Sequence, residues 1–185
     1  GVVVPHRAIV RLVRDQNFLS FGPDLTFLQL SNISFDASTL EIWGALLNGA
    51  RLVLQPQQKP TLQEIVTTIV HQKVTTVWFT AGLFNLLVDE HLEKLRSLRH
   101  ILTGGDVLSV PHVKKALRTL GPGVLINGYG PTENTTFTCC HAIDDITAIR
   151  GSVPIGRPIG GTQVHILDEQ MKPVPVGVKG ELYAG

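Results

Sequence analysis

Val124-Leu125-Ile126-Asn127-Gly128-Tyr129-Gly130-Pro131-Thr132-Glu133 begins as a short apolar run and ends in glycines, a proline, an amide, a phenol, a hydroxyl and an acid. The run predicts a buried strand. The glycines and the proline predict that its ladder stops after Ile126. In open α/β sheets ligands bind beyond the carboxyl ends of the strands, so this stretch predicts the floor of a site. The fold then depends on whether strands of the same kind recur along the chain.

They do. Working back from Val124, the glycine–proline turn Gly121-Pro122-Gly123 closes a predicted helix over Val110 to Leu120, and Leu98 to Thr103 reads as a strand stopped by Gly104-Gly105-Asp106. Thr75 to Phe79 predicts another strand, followed by a helix carrying Leu83, Leu86 and Leu87. Pro60-Thr61 starts a helix with Leu62, Ile65, Ile69 and Val70 as its apolar stripe and Thr61 and Glu64 as a capping box. Arg51 to Leu54 and Thr26 to Leu30 are earlier strands. Between them Asp36 or Ser38 caps a helix with Leu40, Trp43, Leu46 and Leu47 on one face. A first helix starts at Pro5. Strands and helices alternating through short connections predict a mostly parallel sheet with helices on both faces. After Thr135 the rhythm changes. Phe137 to Ile143, Gln163 to Leu167 and Gly180 to Ala184 read as strands without intervening helices, around a hairpin loop at Asp168 to Val176. We expect a boundary near Asp144 to Ser152, with an α/β portion over 1–148 and the start of an antiparallel β-rich portion over 149–185.

Composition supports a globular domain. Of the 185 residues, 43% are hydrophobic and 17% charged, and the net charge of +1 predicts neither a nucleic-acid nor a membrane surface. Adjacent Cys139 and Cys140 offer no disulfide framework or metal spacing, so a reducing cytoplasm is the expected setting. His100, His112 and His141 have no ligand spacing and read as surface residues.

If the sheet is parallel, the strand ends bring four clusters to one edge: Phe35 and Asp36; Phe79 and Thr80; Leu102 to Asp106; Asn127 to Glu133. Glycines 104, 105, 128 and 130 would let a ligand approach the backbone. Glu133 suits a hard cation such as Mg²⁺, and Thr103 and Thr132 suit phosphate oxygens. Tyr129 offers a stacking face and Asn127 an amide for a base edge. Phe79, Leu102 and Phe137 offer apolar wall. Asp36, an acid between apolar neighbours, needs a cation or a helix terminus to offset its desolvation. A nucleotide triphosphate with a small ammonium-bearing substrate would satisfy these groups together. Simpler readings stand beside these: Asp36 as a cap only, Phe79 and Leu102 as plain core, Thr103 as a strand-end hydroxyl.

With these motifs in order, the chain resembles the adenylation domains of nonribosomal peptide synthetases, in the superfamily of acyl- and aryl-CoA synthetases and luciferases. Gly1 to Arg7 (GVVVPHR) is similar to the tail of the family's phosphate loop. Phe35-Asp36-Ala37-Ser38 resembles its substrate-pocket motif and Asn127 to Glu133 (NGYGPTE) its nucleotide motif. Pro154-Ile155-Gly156-Arg157-Pro158 and Gly180 to Gly185 resemble later core motifs. The resemblance implies that Asp36 pairs with an amino acid's α-ammonium, that Asn127 reads adenine and Tyr129 stacks on it, and that Gly105, Asp106, Gly128 and Gly130 contact the nucleotide. It implies Thr132 and Glu133 as the catalytic pair, with Thr132 near phosphate and Glu133 as the Mg²⁺ ligand. The amino-acid pocket would be lined by Ala37, Leu40, Phe79, Leu102, Gly104, Gly128, Thr136 and Phe137. That lining resembles those of valine- and isoleucine-activating domains. A pocket of this kind separates substrates differing by one methylene by only ~1–3 kcal/mol, so valine and isoleucine are not distinguished. The implied reaction forms aminoacyl-AMP and pyrophosphate from ATP, then loads a carrier protein's phosphopantetheine thiol. Peptidyl carrier and condensation domains are the implied partners. Both ends of the sequence read as cut, and these residues alone are expected not to turn over. Two rival readings are an acyl- or aryl-CoA synthetase, against which Asp36 argues, and a non-catalytic docking module. A dehydrogenase lacks its G-x-G-x-x-G turn here.

Overall fold

The structure, a computed structural model, describes residues 1–185. Its helices are α1 (His6–Val13), α2 (Ala37–Leu46), α3 (Leu62–His71), α4 (Ala81–Glu90) and α5 (Val110–Leu120). Its strands are β1 (Thr26–Gln29), β2 (Arg51–Leu54), β3 (Thr76–Thr80), β4 (His100–Gly104), β5 (Leu125–Tyr129), β6 (Cys139–Ala142), β7 (Arg157–Pro158), β8 (Val164–Leu167) and β9 (Glu181–Ala184). A seven-stranded sheet has the order β2-β1-β3-β4-β5-β6-β7. Its first five strands are mutually parallel, and β6 and β7 join antiparallel. Strands β8 and β9 form a separate antiparallel pair.

Helices cover both faces, as expected. Phe84, Leu87 and Val88 of α4 and Val113, Ala116 and Leu117 of α5 share a core with Ile65, Val66 and Ile69 of α3 and with Val77, Phe79, Ile101 and Leu125 of the sheet. On the opposite face Leu12 and Val13 of α1 and Ala37 and Leu40 of α2 pack with Trp78, Leu102, Ile126 and Phe137. The Thr61–Glu64 capping box is formed in both directions, and Thr80 caps α4 by accepting from Leu83 N.

Helix faces differ from expectation at two places. On α2 the buried residues are Ala37, Ser38, Leu40, Glu41, Gly44 and Ala45, whereas Trp43, Leu46 and Leu47 are exposed. The helix seats its smallest residues on the sheet because a Cβ at Gly44 would already lie 3.1 Å from the Phe21 ring and 3.2 Å from the Phe27 ring. On α4 the buried stripe includes Phe84 and Val88, and Leu86 is exposed. Packing is continuous across the expected boundary at 148/149. Ile149 and Val153 are buried in the large core, Ile159 is buried on the other face, and β7 extends the main sheet. The separate antiparallel pair begins only at Val164. All three histidines expected at the surface, His100, His112 and His141, are half-buried. His100 Nδ1 lies 3.3 Å from Thr76 Oγ1, and His112 bridges Ser109 Oγ and Asp89. No helix is long and apolar enough to cross a membrane.

Candidate functional site

Strand β5 runs through Tyr129, so Asn127 and Gly128 lie within the ladder rather than beyond it. That shift separates the chemistry by strand parity. In register across β3, β4 and β5 lie the rows Trp78–Leu102–Ile126, Phe79–Thr103–Asn127 and Thr80–Gly104–Gly128. The first and third rows face α1 and α2, and the middle row faces α4 and α5.

Phe79, expected in the pocket, therefore belongs to the opposite core, where it is fully buried. Trp78 instead faces the side that holds Leu102, Leu40 and Phe137. The indole packs against the Phe137 ring with centroids 5.4 Å apart, beside Leu102, Leu40 and Ala37. Alternation along Thr75-Thr76-Val77-Trp78-Phe79, with Leu102 and Gly104 as pocket positions on the neighbouring strand, was the signal that identifies Trp78.

At three of the four glycines the place of a Cβ is already filled by protein. A Cβ on Gly128 would fall 2.4 Å from the Phe137 ring, one on Gly104 would fall 2.0 Å from the Gly128 carbonyl oxygen, and one on Gly130 would fall 2.6 Å from Thr138 N. Gly105, with φ of +78°, has open space around it, and Gly128 and Gly130 still present backbone to the cavity beside Asn127. Thr103 is fully buried, and its Oγ1 has no hydrogen-bond partner. It lies beneath the site's floor and does not reach a phosphate.

On the other side of β5 is an open cavity of about 460 Å³, lined by residues that include Gly105, Asp106, Asn127, Gly128, Tyr129 and Gly130. Ser152, Val153 and Ile155 close it, at the start of the Pro154–Pro158 motif, for which the sequence suggested no site residue. The Asn127 amide donates to Pro154 O at 2.9 Å. This bond orients the side chain and leaves Oδ1 as its acceptor. Tyr129 shares Asn127's face by parity and is 41% exposed. Asp106 Oδ1 accepts from Val107 N at 2.7 Å, a local turn bond. Thr132 and Glu133 are exposed on a 3₁₀ turn over Thr132–Asn134. No group of three or more His, Cys, Asp and Glu side chains forms a metal cluster. A single exposed carboxylate suits Mg²⁺, which binds through one or two carboxylates together with phosphates and water.

Asp36 is half-buried at the start of α2, and its carboxylate makes no capping bond. The cap-only reading therefore fails. Its backbone carbonyl accepts from Thr136 Oγ1 at 2.9 Å, which ties α2 to the loop between β5 and β6. Glu41, missed in the sequence, anchors the other end of the same connection. Its buried carboxylate accepts from Leu30 N at 3.2 Å, Ser31 N at 3.1 Å and Ser31 Oγ at 2.9 Å. Burial pushes this carboxyl up to about 7, while the bonds from Ser31 and Leu30 pull the other way.

A parallel sheet with apolar packing on one face of its strand ends and an open cleft on the other is the arrangement of a ligand-binding α/β fold. A family model described as AMP-binding enzyme matches residues 1–185, and the chain belongs to that family. Linear gramicidin synthase subunits C and B of Brevibacillus parabrevis are 56% and 55% identical to it over 185 residues, all of this chain but 2% and 4% of theirs. Bacitracin synthase 1 of Bacillus licheniformis is 42% identical over 183 residues, 98% of this chain and 4% of its own. The chain thus spans a small part of the synthetases it matches. Among solved structures, holo-PA1221, a nonribosomal peptide synthetase protein containing adenylation and PCP domains bound to a vinylsulfonamide inhibitor, superposes with a TM-score of 0.90 at 47% identity, over 97% of this chain and 31% of that one. The N-terminal subdomain of Klebsiella oxytoca NpsA in complex with 3-hydroxyanthranilyl-AMSN gives 0.91 at 31% identity, over 99% and 47%.

Proposed function

We propose that this chain forms the amino-acid pocket and adenine wall of an adenylation domain that activates valine or isoleucine. One observation carries this reading. Asp36 stands at the head of α2 with no capping bond, directly before Ala37 and Leu40, which pack with Trp78, Leu102 and Phe137. An acid beside an uncharged apolar wall is complementary to an α-ammonium carrying a branched aliphatic side chain. On the other face, Asn127 Oδ1 accepts from the adenine amine, Tyr129 stacks on the ring, and Thr132 lies toward the phosphates. Glu133 would hold Mg²⁺, which screens phosphate charge when bound.

The amino acid's carboxylate displaces pyrophosphate from the α-phosphorus, and the chain's task is to position the two substrates for it. No Lys or Arg lines the cavity. We further propose transfer to a carrier protein's phosphopantetheine thiol, next to condensation domains, because the solved neighbours pair adenylation with PCP domains. Two free, buried cysteines fit a reducing cytoplasm.

The test is Asp36→Ala in a complete adenylation domain that carries these residues. Amino-acid-dependent pyrophosphate exchange should fall by on the order of 100-fold, the loss of a charge-assisted bond, with ATP affinity retained. Unchanged valine activation would overturn the pairing. Acyl activation surviving in its place would favour an acyl-CoA synthetase. Preference for acidic, basic or large aromatic amino acids would sink the aliphatic pocket.

A further inference from the structure

The loop between β5 and β6 contains two consecutive β-branched residues in the left-handed region, Thr135 with φ of 53° and Thr136 with φ of 68°. Both are buried. This conformation is unfavourable for threonine and persists only where the surroundings over-determine it. The loop has chemistry at both ends. Thr132 and Glu133 precede it on the nucleotide side. Thr136 Oγ1 donates to Asp36 O, and Phe137 closes against Gly128 and Trp78.

One side chain grips its middle. Arg11, reaching from α1 across more than 120 residues of sequence, donates through Nη2 to Asn134 O at 2.5 Å and Thr135 O at 3.4 Å. Through Nη1 it donates to Phe137 O at 3.3 Å and to Thr162 Oγ1. No carboxylate pairs with it. The guanidinium is spent on three loop carbonyls and one hydroxyl, and burial pulls its pKa down. The fork is itself braced, because the Arg11 carbonyl accepts from Gln16 Nε2 and Gln16 also bonds both backbone groups of Gly160. Several donors in one rigid plane can satisfy several differently directed carbonyls at once. A lysine ammonium at the end of a flexible stem cannot reproduce that geometry.

We propose that Arg11 is a positioning residue that holds the 134–137 loop in its left-handed form and so couples the amino-acid pocket to the nucleotide side of the site. The proposal rests on the function proposed above. It follows that occupying one side pre-organises the other, because Thr132–Glu133 and Thr136–Phe137 are the two ends of a single clamped segment. Arg11 touches neither substrate, so its loss acts on coupling and on loop order.

The experiment compares wild type, Arg11→Lys and Arg11→Ala in a complete adenylation domain, with Arg14→Ala, whose exposed side chain bonds only Leu47 O, as the control. Valine binding is measured by calorimetry with and without a non-hydrolysable ATP analogue. Valine-dependent pyrophosphate exchange and amide hydrogen exchange of residues 134–137 are measured on the same samples. In wild type the analogue should tighten valine binding by on the order of tenfold. In Arg11→Lys that factor should fall toward one, KM for valine should rise, and the loop amides should exchange faster. Added guanidinium ion should partly restore Arg11→Ala, which a purely structural loss would not allow. Wild-type coupling and loop protection in both variants, with only a lower melting temperature, would overturn the proposal. A wild-type protein that activates no amino acid would instead sink the function reading. Unchanged loop exchange in Arg11→Lys would then overturn the role of Arg11, and faster exchange would uphold its grip on the loop.

Discussion

Two rows of residues, one step apart on the same three strands, make different surfaces. Trp78, Leu102 and Ile126 face α1 and α2 and form a closed apolar wall, made tighter by Gly104 and Gly128 on the same face. Phe79, Thr103 and Asn127 face the other way. At that row's end the packing opens into the cavity bounded by Asn127, Tyr129 and Ser152. The contrast teaches that one motif, Asn127 to Glu133, presents side chains to two separate surfaces, and would serve two sites under the proposed function, because consecutive strand residues point to opposite faces. Gly128 between Asn127 and Tyr129 is the partition itself. Any side chain there would strike Phe137, which packs against Trp78.

The comparison breaks most visibly if Phe79 and Trp78 exchange roles. Phe79→Ala should cost about 3–5 kcal/mol of stability in chemical denaturation, as for a large buried ring, with the order of amino-acid preference unchanged. Trp78→Ala should instead shift preference toward larger side chains in pyrophosphate exchange. A changed preference in Phe79→Ala with none in Trp78→Ala would reverse the assignment of faces.

Protonation tests the pocket side separately. Glu41 has a folded-state pKa raised from 4.5 to about 7. The folded protein therefore holds this proton more tightly than the unfolded chain. The stability that it contributes, about 3 kcal/mol, is present below pH 4.5 and is lost as pH rises through about 7. Glu41→Gln should remove that component from a denaturation series across this window. An unaltered slope would show that the carboxyl does not titrate there.

Gly128→Ala should cost about 1–3 kcal/mol, because its Cβ would force the Phe137 ring aside, and should weaken valine binding more than ATP binding. An equal effect on both ligands would blur the partition. The smallest effect is expected from Asn127→Ala. Removing one neutral hydrogen bond, worth about 1 kcal/mol, should raise the KM for ATP several-fold in exchange kinetics and leave the KM for valine unchanged.

The sequence by itself determined the alternation of strands and helices, the turn at Gly121-Pro122-Gly123, the Thr61–Glu64 capping box and the family, because these depend on local periodicity, turn chemistry and contiguous motifs. Asp36, Asn127 and Glu133 enter as candidates for the same reason, since each stands in a contiguous motif. Tertiary structure alone decided which face of each strand meets which helix, and so placed Trp78 rather than Phe79 beside Leu102. It decided that protein fills the side of Gly104, Gly128 and Gly130 where a Cβ would stand, that Pro154 orients Asn127, and that Ser152 and Val153 close the cleft. It also brought Arg11 to the Asn134–Phe137 carbonyls and Glu41 to Leu30 and Ser31. The physical reason is common to all of these: a strand's alternation is local, but the partner of each face, and the free energy of each buried polar group, depend on residues far away in the chain.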